Sequence, residues 1–322
     1  MPFLLGTDEA GYGPNLGPLV ISASAWEVHD GIRGDGLYER LQSVVAPAAA
    51  RLAKDSPRVA IADSKTLYQS GKGLRLLERG LWAAWRLIDQ RPAVCGDVWK
   101  LLAGPETAPR CEALCGGCDT LPAPRDFDAG KIDQLGPGLC AALSRAGVRL
   151  VALQSVAIFP REFNDVVDRS DSKGAALSHW TLQLLARMIE PLGEEPIAVL
   201  CDKHGGRDRY LPLLTNCFTG QFIEIVSEGR LQSVYRFGPA RRRVEIAFQA
   251  KGESHLPTAL ASMASKYLRE LAMQAFNGFW RQHVADLVPT AGYPVDARRF
   301  KADIAAAQQS LGIPDRILWR TK

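Results

Sequence analysis

The sequence predicts an α/β fold in which helices flank a mixed β-sheet and a segment rich in Cys, Gly and Pro is inserted. Short apolar runs of strand length alternate along the chain with amphipathic stretches of helix length. Two of the apolar runs end on carboxylates, at Asp8 and Asp202. The chain has 322 residues, enough to bury a substantial core. We therefore expect a single domain, 1–322, with an insertion at about 90–145 and a helical C-terminal extension at about 277–322.

The period of the apolar residues predicts each element in turn. Apolar or alternating runs predict strands at 3–7, 19–28, 59–62, 151–158, 196–202 and 222–226, followed by a hairpin of 231–237 and 242–249. Apolar residues at helical spacing predict helices at 37–54, 74–89, 175–192, 210–214, 258–276 and 296–311. Since ligand sites in such sheets gather at the carboxyl ends of strands, the acids at two strand ends indicate a candidate site.

Composition excludes several classes of protein. Apolar residues make up 47% and charged residues 23%, which are ordinary globular values, and the formal charge of +4 permits nucleic-acid binding. Asp8 and Glu9 interrupt the first apolar run before a signal peptide could form, and no apolar run has the length of a membrane span. Seven cysteines without a secretion signal favour reduced thiols in the cytoplasm. The sequence contains no P-loop, no dinucleotide fingerprint and no Ser-His-Asp arrangement.

Adjacent acids are unusual at the end of a buried strand, because Asp8 and Glu9 repel each other and both lose solvation. A divalent cation would remove that penalty. The residues alone leave two interpretations open, a metal site at the strand tip and a solvated turn that carries two acids.

Residues 8–14, Asp-Glu-Ala-Gly-Tyr-Gly-Pro, are closed by Gly-Pro at 17–18 and resemble the opening signature of ribonuclease HII, the type 2 ribonucleases H. Three later stretches follow in the order of that family. Residues 62–67 are similar to its Asp-Ser-Lys element, 198–202 to the strand that ends on its third carboxylate, and 251–253 with 261–270 to its final acidic helix. Gly-Tyr-Pro at 292–294 lies where the family has Gly-Tyr-Gly. The resemblance covers most of the chain outside 90–145.

The resemblance implies a ribonuclease H-like fold and a metal-dependent endonuclease that cuts the RNA strand of an RNA·DNA hybrid, or DNA at embedded ribonucleotides. The carboxylates that match its metal-binding and catalytic set are Asp8, Glu9, Asp202 and Glu270. Such an all-oxygen set suits Mg²⁺ or Mn²⁺, with two ions expected. The residues that match its substrate-binding positions are Gly11, Tyr12, Gly13, Lys65 and Tyr293. The expected partner is therefore nucleic acid, with no membrane; the oligomeric state is open, and a monomer is the simplest expectation.

Two positions depart from the pattern of the family. Tyr12 replaces the arginine between the two glycines, and Glu270 replaces the final aspartate. Loss of the arginine removes a phosphate contact, so two alternatives stay open: a nuclease of the same fold that acts on DNA or structured nucleic acid, and a non-catalytic nucleic-acid-binding relative. Lys65 and Tyr293 also allow structural interpretations, as a lysine in a surface turn and as a core tyrosine.

The cysteines of the insertion suggest a second metal site. The Cys-Gly-Gly-Cys step resembles a zinc knuckle, and the four thiols that could complete a tetrahedral structural Zn²⁺ site are Cys95, Cys111, Cys115 and Cys118. Their spacing lacks the usual second pair, so thiols that bind no metal are the alternative. The hairpin at 231–249 carries the most basic short stretch and is the candidate for phosphate-backbone contact; its arginines are Arg236, Arg241, Arg242 and Arg243.

Overall fold

The computed structural model describes residues 2–29, 36–48, 56–69, 73–107, 119–170, 172–250 and 252–321. A sheet of seven strands has the order β5-β2-β1-β6-β9-β8-β7, in which β1 and β9 lie parallel to β6 and the other neighbouring pairs are antiparallel. This arrangement confirms the predicted α/β fold with a mixed sheet flanked by helices. The strands are β1 Phe3–Ala10, β2 Leu19–Val28, β3 Val45–Ala46, β4 Val59–Ala60, β5 Val148–Ile158, β6 Ile197–Asp202, β7 Glu224–Ser227, β8 Gln232–Phe237 and β9 Val244–Gln249.

The helices pack on both faces of this sheet. They are α1 Gly36–Arg40, α2 Ser64–Leu67, α3 Arg75–Leu87, α4 Cys95–Ala103, α5 Gly130–Ala146, α6 Pro160–Ser170, α7 Lys173–Ile189, α8 Leu211–Cys217, α9 Leu256–His283, α10 Pro294–Ser310 and α11 Asp315–Leu318. One buried cluster joins α3, α4, α5 and α9 to one face, and a second joins α6, α7 and α8 to the other. In the described part of the chain, no helix is long and apolar enough to cross a membrane.

Alternation along β1 sends side chains to both cores, since Leu4 belongs to the first cluster and Leu5 to the second. Gly6 lets the sheet approach α9 closely: a Cβ at this position would lie 2.2 Å from the backbone nitrogen of Thr258. The close approach fixes α9 against the central strand. The acids at the end of β1 therefore lie at the junction of the sheet with this helix.

The predicted elements agree with the structure where hydrophobic period is strong, as in α3, α7 and β6. The prediction missed α4 and α5, which lie inside the segment interpreted as an irregular insertion. Both helices contribute buried apolar side chains to the first core, among them Val98, Trp99 and Leu139. The helix predicted at 37–54 is present only as α1 within the described residues.

The expectation that the hairpin arginines lie beside the acids is wrong. In the register of β6 with β9, Ile197 pairs with Val244 and Asp202 with Gln249, so the turn before Val244 lies at the opposite end of the strands, roughly 17 Å from Asp202. Arg242 instead donates to main-chain carbonyls at the end of α7. Two of the other arginines form ion pairs, Arg236 with Glu245 and Arg241 with Glu194.

The C-terminal segment returns to the N-terminal loop. Leu16 forms an isolated antiparallel bridge with Trp319, and the amide of Arg320 donates to the carbonyl of Asn15 at 2.9 Å. The side chain of Asn15 donates back to the carbonyl of Arg320 at 3.0 Å. Asn164 of α6 donates to the carbonyl of Trp319 at 2.8 Å. The last residues are thus attached to both the 11–18 loop and α6.

Candidate active site

Two predicted acids lie at the same edge of the sheet. Thr7 of β1 pairs with Cys201 of the parallel β6, and the next residues in the two strands are Asp8 and Asp202. Ser265 of α9 donates to the carbonyl of Asp8 at 2.9 Å, which ties the strand end to the helix. The amide of Gly252 approaches Oδ1 of Asp202 at 3.4 Å. Both carboxylates are partly exposed, so the edge is open to a ligand.

The pKa of Glu9 reflects both its burial and its interaction with the two neighbouring acids, Asp8 and Asp202. The pKa of Glu9 is raised to about 8, because burial disfavours its ionised form and the negative charges of Asp8 and Asp202 add to that effect. The positive charge of Lys65 opposes the shift. The structure therefore brings Asp8, Glu9, Asp202 and Lys65 within electrostatic range of one another. Lys65 lies in α2, whose first turn is capped by the carboxylate of Asp63.

Glu270, the fourth predicted acid, makes its own set of contacts on α9. The hydroxyl of Tyr68 donates to its Oε2 at 2.7 Å, and the ammonium of Lys266 donates to its Oε1. Lys266 also lies over the ring of Tyr68, 4.4 Å from the ring centroid. The side chain of Glu270 is only 16% exposed. Tyr68 and Lys266 therefore fix the direction of this carboxylate.

The loop at 11–18 follows the acids, and main-chain carbonyls of this loop accept hydrogen bonds from Arg269. Nη1 of Arg269 donates to the carbonyl of Pro18 at 2.7 Å, and Nη2 donates to those of Leu16 and Ala291 at 3.3 and 3.0 Å. Burial lowers the pKa of Arg269 to about 10. Gly11 has a φ of +90°, and a Cβ there would lie 2.6 Å from the carbonyl oxygen of Pro18. Glycine is therefore required for this loop conformation.

Tyr293, which directly precedes α10, lies beside Gly13 of this loop. The nearest atom to a Cβ built on Gly13 is Cε1 of Tyr293, at 4.0 Å. Tyr293 is 57% exposed, so its structural interpretation as a core tyrosine is wrong. An exposed aromatic ring next to an open glycine backbone is a surface on which a sugar or base can pack.

Tyr12 extends toward the loop after β6. Its hydroxyl lies 2.9 Å from a Cβ position built on Gly205 and 3.8 Å from one built on Gly174. Burial and the charge of Glu9 raise the pKa of Tyr12, while Arg207 opposes the rise. Tyr12 thus links the acids to the beginning of α7.

Sequence reasoning missed three residues that shape the site, Tyr68, Arg269 and Arg320. Tyr68 directly follows the Asp-Ser-Lys element, and Arg269 directly precedes Glu270, so neighbourhood in sequence was the available signal. The zinc prediction stays a prediction: Cys95 is buried in the first turn of α4, and Cys111, Cys115 and Cys118 lie outside the described residues. Lys251 also lies outside them.

The acidic edge fits a divalent cation by the chemistry of its donors. Carboxylate oxygens are the ligands that Mg²⁺ and Mn²⁺ prefer, and a cation would offset both the burial of Glu9 and its repulsion by Asp8 and Asp202. Among the described residues, no three His, Cys, Asp or Glu side chains form a ready-made metal-binding group.

The fold and the site define an α/β protein with interacting acids at the carboxyl edge of a mixed sheet, next to a glycine-rich loop. A scan of protein-family models and a search of curated proteins give no match. Among solved structures, the chain is similar to the ribonuclease H2 from Pyrococcus horikoshii OT3, with 15% identity, a TM-score of 0.45 and coverage of 99% of this chain and 93% of that chain.

Two further solved structures are similar to this chain. A chain in the PCNA:RNase HII complex from Archaeoglobus fulgidus has 15% identity and a TM-score of 0.41 over 99% of this chain and 94% of that one. Bst-RNase HIII in complex with Mn²⁺ has 14% identity and a TM-score of 0.41 over 99% of this chain and 66% of that one.

Proposed function

We propose that this protein is a metal-dependent nuclease that hydrolyses phosphodiester bonds. The observation that carries the proposal is the clustering of Asp8, Glu9 and Asp202 at one sheet edge, where burial, together with the charges of the other two acids, raises the pKa of Glu9 to about 8. Acids that repel one another in a partly buried site destabilise the fold unless a cation is bound there. The ribonuclease HII motifs around the same residues support the proposal independently.

The carboxylates would hold the cation, with Asp8, Glu9 and Asp202 as direct candidates and Glu270 as the fourth. When bound, Mg²⁺ or Mn²⁺, most simply as two ions, would lower the pKa of water in the site and stabilise the negative charge that develops on the phosphate. Tyr68 and Lys266 orient Glu270, and Lys65 places a positive charge beside the acids. None of these roles requires a protein nucleophile.

The RNA strand of an RNA·DNA hybrid, or a ribonucleotide embedded in DNA, is the substrate that we propose. The open backbone at Gly13 allows close approach of a sugar, and a ribose 2′-hydroxyl is the group that separates RNA from DNA. Tyr293 would pack against the nucleotide. Cys140, Cys201 and Cys217 form no disulfide in the described part of the chain, and we propose a reducing compartment such as the cytoplasm.

A second candidate is a nuclease of the same fold that cuts DNA or structured nucleic acid. Tyr12 favours it, because its hydroxyl is turned toward Gly174 and Gly205 and the loop lacks an arginine side chain for phosphate. The remaining alternative is a nucleic-acid-binding protein that does not cleave its ligand. It is less economical, because it does not explain why acids that repel one another lie together at one edge of the sheet.

The experiment that tests the proposal incubates the protein and Mg²⁺ or Mn²⁺ with three labelled duplexes: an RNA·DNA hybrid, DNA with one ribonucleotide, and DNA alone. We expect cleavage only in strands that contain ribose, and a loss of at least about 100-fold in the Asp8→Asn variant. Cleavage of the all-DNA duplex would replace the ribonuclease with the second candidate. Tight, salt-sensitive binding without cleavage of any duplex would reject the nuclease.

A further inference from the structure

Arg320 is a fully buried arginine whose guanidinium is only partly hydrogen-bonded within the described part of the chain. Its exposure is 0%, and neither Nε nor Nη1 has a hydrogen-bond partner among the described residues. Nη2 donates to the carbonyl of Pro14 in the 11–18 loop. The guanidinium also lies over the ring of Phe163, 4.9 Å from its centroid. Neither contact supplies a negative charge.

The described charged groups that interact with Arg320 are positive as well. Lys173 and Arg269 are the ionisable groups that interact with it electrostatically, and the pKa values of both Lys173 and Arg320 are lowered, chiefly by burial and further by the neighbouring cation. On α6, Asp165 and Asp168 pair with Arg316. Arg320 therefore lies within electrostatic range of two further cations, Lys173 and Arg269.

The beginning of α7 adds further donors to the same place. Lys173 and Gly174 occupy the first turn of this 17-residue helix, where amide groups lack partners within the helix and the dipole favours an anion. The hydroxyl of Tyr12 lies near the Cβ positions of Gly174 and Gly205. The hydroxyl of Tyr12 therefore lies against the backbone at the beginning of α7.

A buried arginine without an acidic partner costs folding free energy, and an anion bound beside it would offset that cost. Because Arg320, Lys173, the helix terminus and the Tyr12 hydroxyl converge, we propose that they form a phosphate-binding subsite. Lys173, which is half-buried, forms its solvent-facing side, and Arg320 supplies the charge behind it. This inference rests on the proposed function in one respect: the phosphate that it holds belongs to the backbone of the nucleic-acid substrate.

Inorganic phosphate tests the subsite without nucleic acid or metal. The thermal midpoint of the protein is measured with phosphate and with chloride at equal ionic strength. At a phosphate concentration well above its dissociation constant, we expect a specific rise of about 2–4 °C in the wild type. Arg320→Met and Lys173→Met should each lose this rise. Arg241→Met is the matched control, because Arg241 is an exposed, ion-paired arginine at the opposite end of the sheet, and it should keep the rise.

Nucleic-acid binding tests whether the phosphate is that of a backbone. Dissociation constants of an RNA·DNA hybrid are measured over a range of salt in the Asp8→Asn background, which prevents cleavage. Lys173→Met and Arg320→Met should each raise the dissociation constant about tenfold and reduce the slope of its logarithm against log salt by about one. Arg241→Met should change neither.

The outcomes separate this inference from the nuclease proposal. An equal rise of the thermal midpoint with phosphate in the wild type and in both variants would overturn the subsite. Arg320 would then only stabilise the 11–18 loop through its hydrogen bond to Pro14. If Arg320→Met does not fold, Lys173→Met decides the question alone. A phosphate effect that is lost in the variants, with unchanged affinity for the hybrid, would assign the subsite to free phosphate and overturn its assignment to the backbone. A missing nuclease activity with an intact phosphate effect would reject the nuclease and not the subsite.

Discussion

The hydroxyl of Tyr68 donates a hydrogen bond of 2.7 Å to Glu270, and Lys266 binds the other oxygen of the same carboxylate. Glu270 is longer by one methylene than the aspartate that the ribonuclease HII pattern has at this position. The two donors limit the directions that the longer side chain can take. The residue after the Asp-Ser-Lys element therefore controls a candidate metal ligand on α9.

Tyr68→Phe tests this control. The substitution leaves Oε2 of Glu270 without its phenol donor, so we expect about a tenfold loss of activity or of apparent Mg²⁺ affinity. Activity is measured against Mg²⁺ concentration. Tyr235→Phe is the matched control, because Tyr235 donates to Glu228 at 2.5 Å on the β7–β8 side of the sheet. Equal activity in Tyr68→Phe and the wild type would contradict the positioning role.

Gly11 and Gly13 should respond differently to alanine. Gly11→Ala places a methyl group at a φ of +90° and 2.6 Å from a carbonyl oxygen, so we expect a loss of about 2–3 kcal/mol in the free energy of unfolding. Gly13→Ala has its nearest neighbour at 4.0 Å, and we expect a change within about 0.5 kcal/mol. Chemical denaturation measures both. We also expect Gly13→Ala to weaken hybrid binding, because its methyl group faces the proposed nucleotide.

Glu78 should hold the 125–126 loop against α3. Its carboxylate is fully buried and accepts from the amides of Arg125 and Asp126 at 2.6 and 2.7 Å and from the hydroxyl of Tyr267 at 2.9 Å. Glu78→Ala leaves these donors without an acceptor, so we expect a loss of about 3 kcal/mol in the free energy of unfolding. Nuclease activity below the unfolding transition should be unchanged, and a selective loss of activity in the folded variant would contradict a structural role.

The pKa of Glu78 also predicts a pH dependence. Burial, the largest cause, raises this pKa above the unfolded value of 4.5, so the folded state binds the proton more tightly than the unfolded state does. The contribution of Glu78 to stability is complete below 4.5 and declines as pH rises through the folded pKa. The stability difference between the wild type and Glu78→Gln should therefore shrink as pH rises from 4.5. Denaturation at a series of pH values checks this; a difference that grows would contradict the sign.

The period of the apolar residues was enough to predict the strands of the sheet, and the acids that follow two of the apolar runs were enough to predict that Asp8 and Asp202 lie near strand ends. Their meeting follows because β1 and β6 are parallel neighbours, whose carboxyl ends share an edge. Local pattern could not predict the contact between Arg320 and Pro14, since it depends on a bridge between residues separated by most of the chain. The charge pattern alone predicted the wrong position for the hairpin arginines, because the pairing register of β6 with β9 decides at which end of the strands the turn lies. In the 90–145 segment, Gly and Pro masked the helical signal of Val98, Trp99 and Leu102.

Binding of Mn²⁺, followed by paramagnetic resonance at neutral pH, tests most directly that the acidic edge is a metal site. The variants are Asp8→Asn and Glu9→Gln, with Asp133→Asn as a control, because Asp133 is an exposed acid on α5 paired with Arg86. We predict saturable binding in the wild type and the control, and at least about a tenfold loss of affinity in each site variant. Unchanged Mn²⁺ affinity in Asp8→Asn and Glu9→Gln would contradict the account.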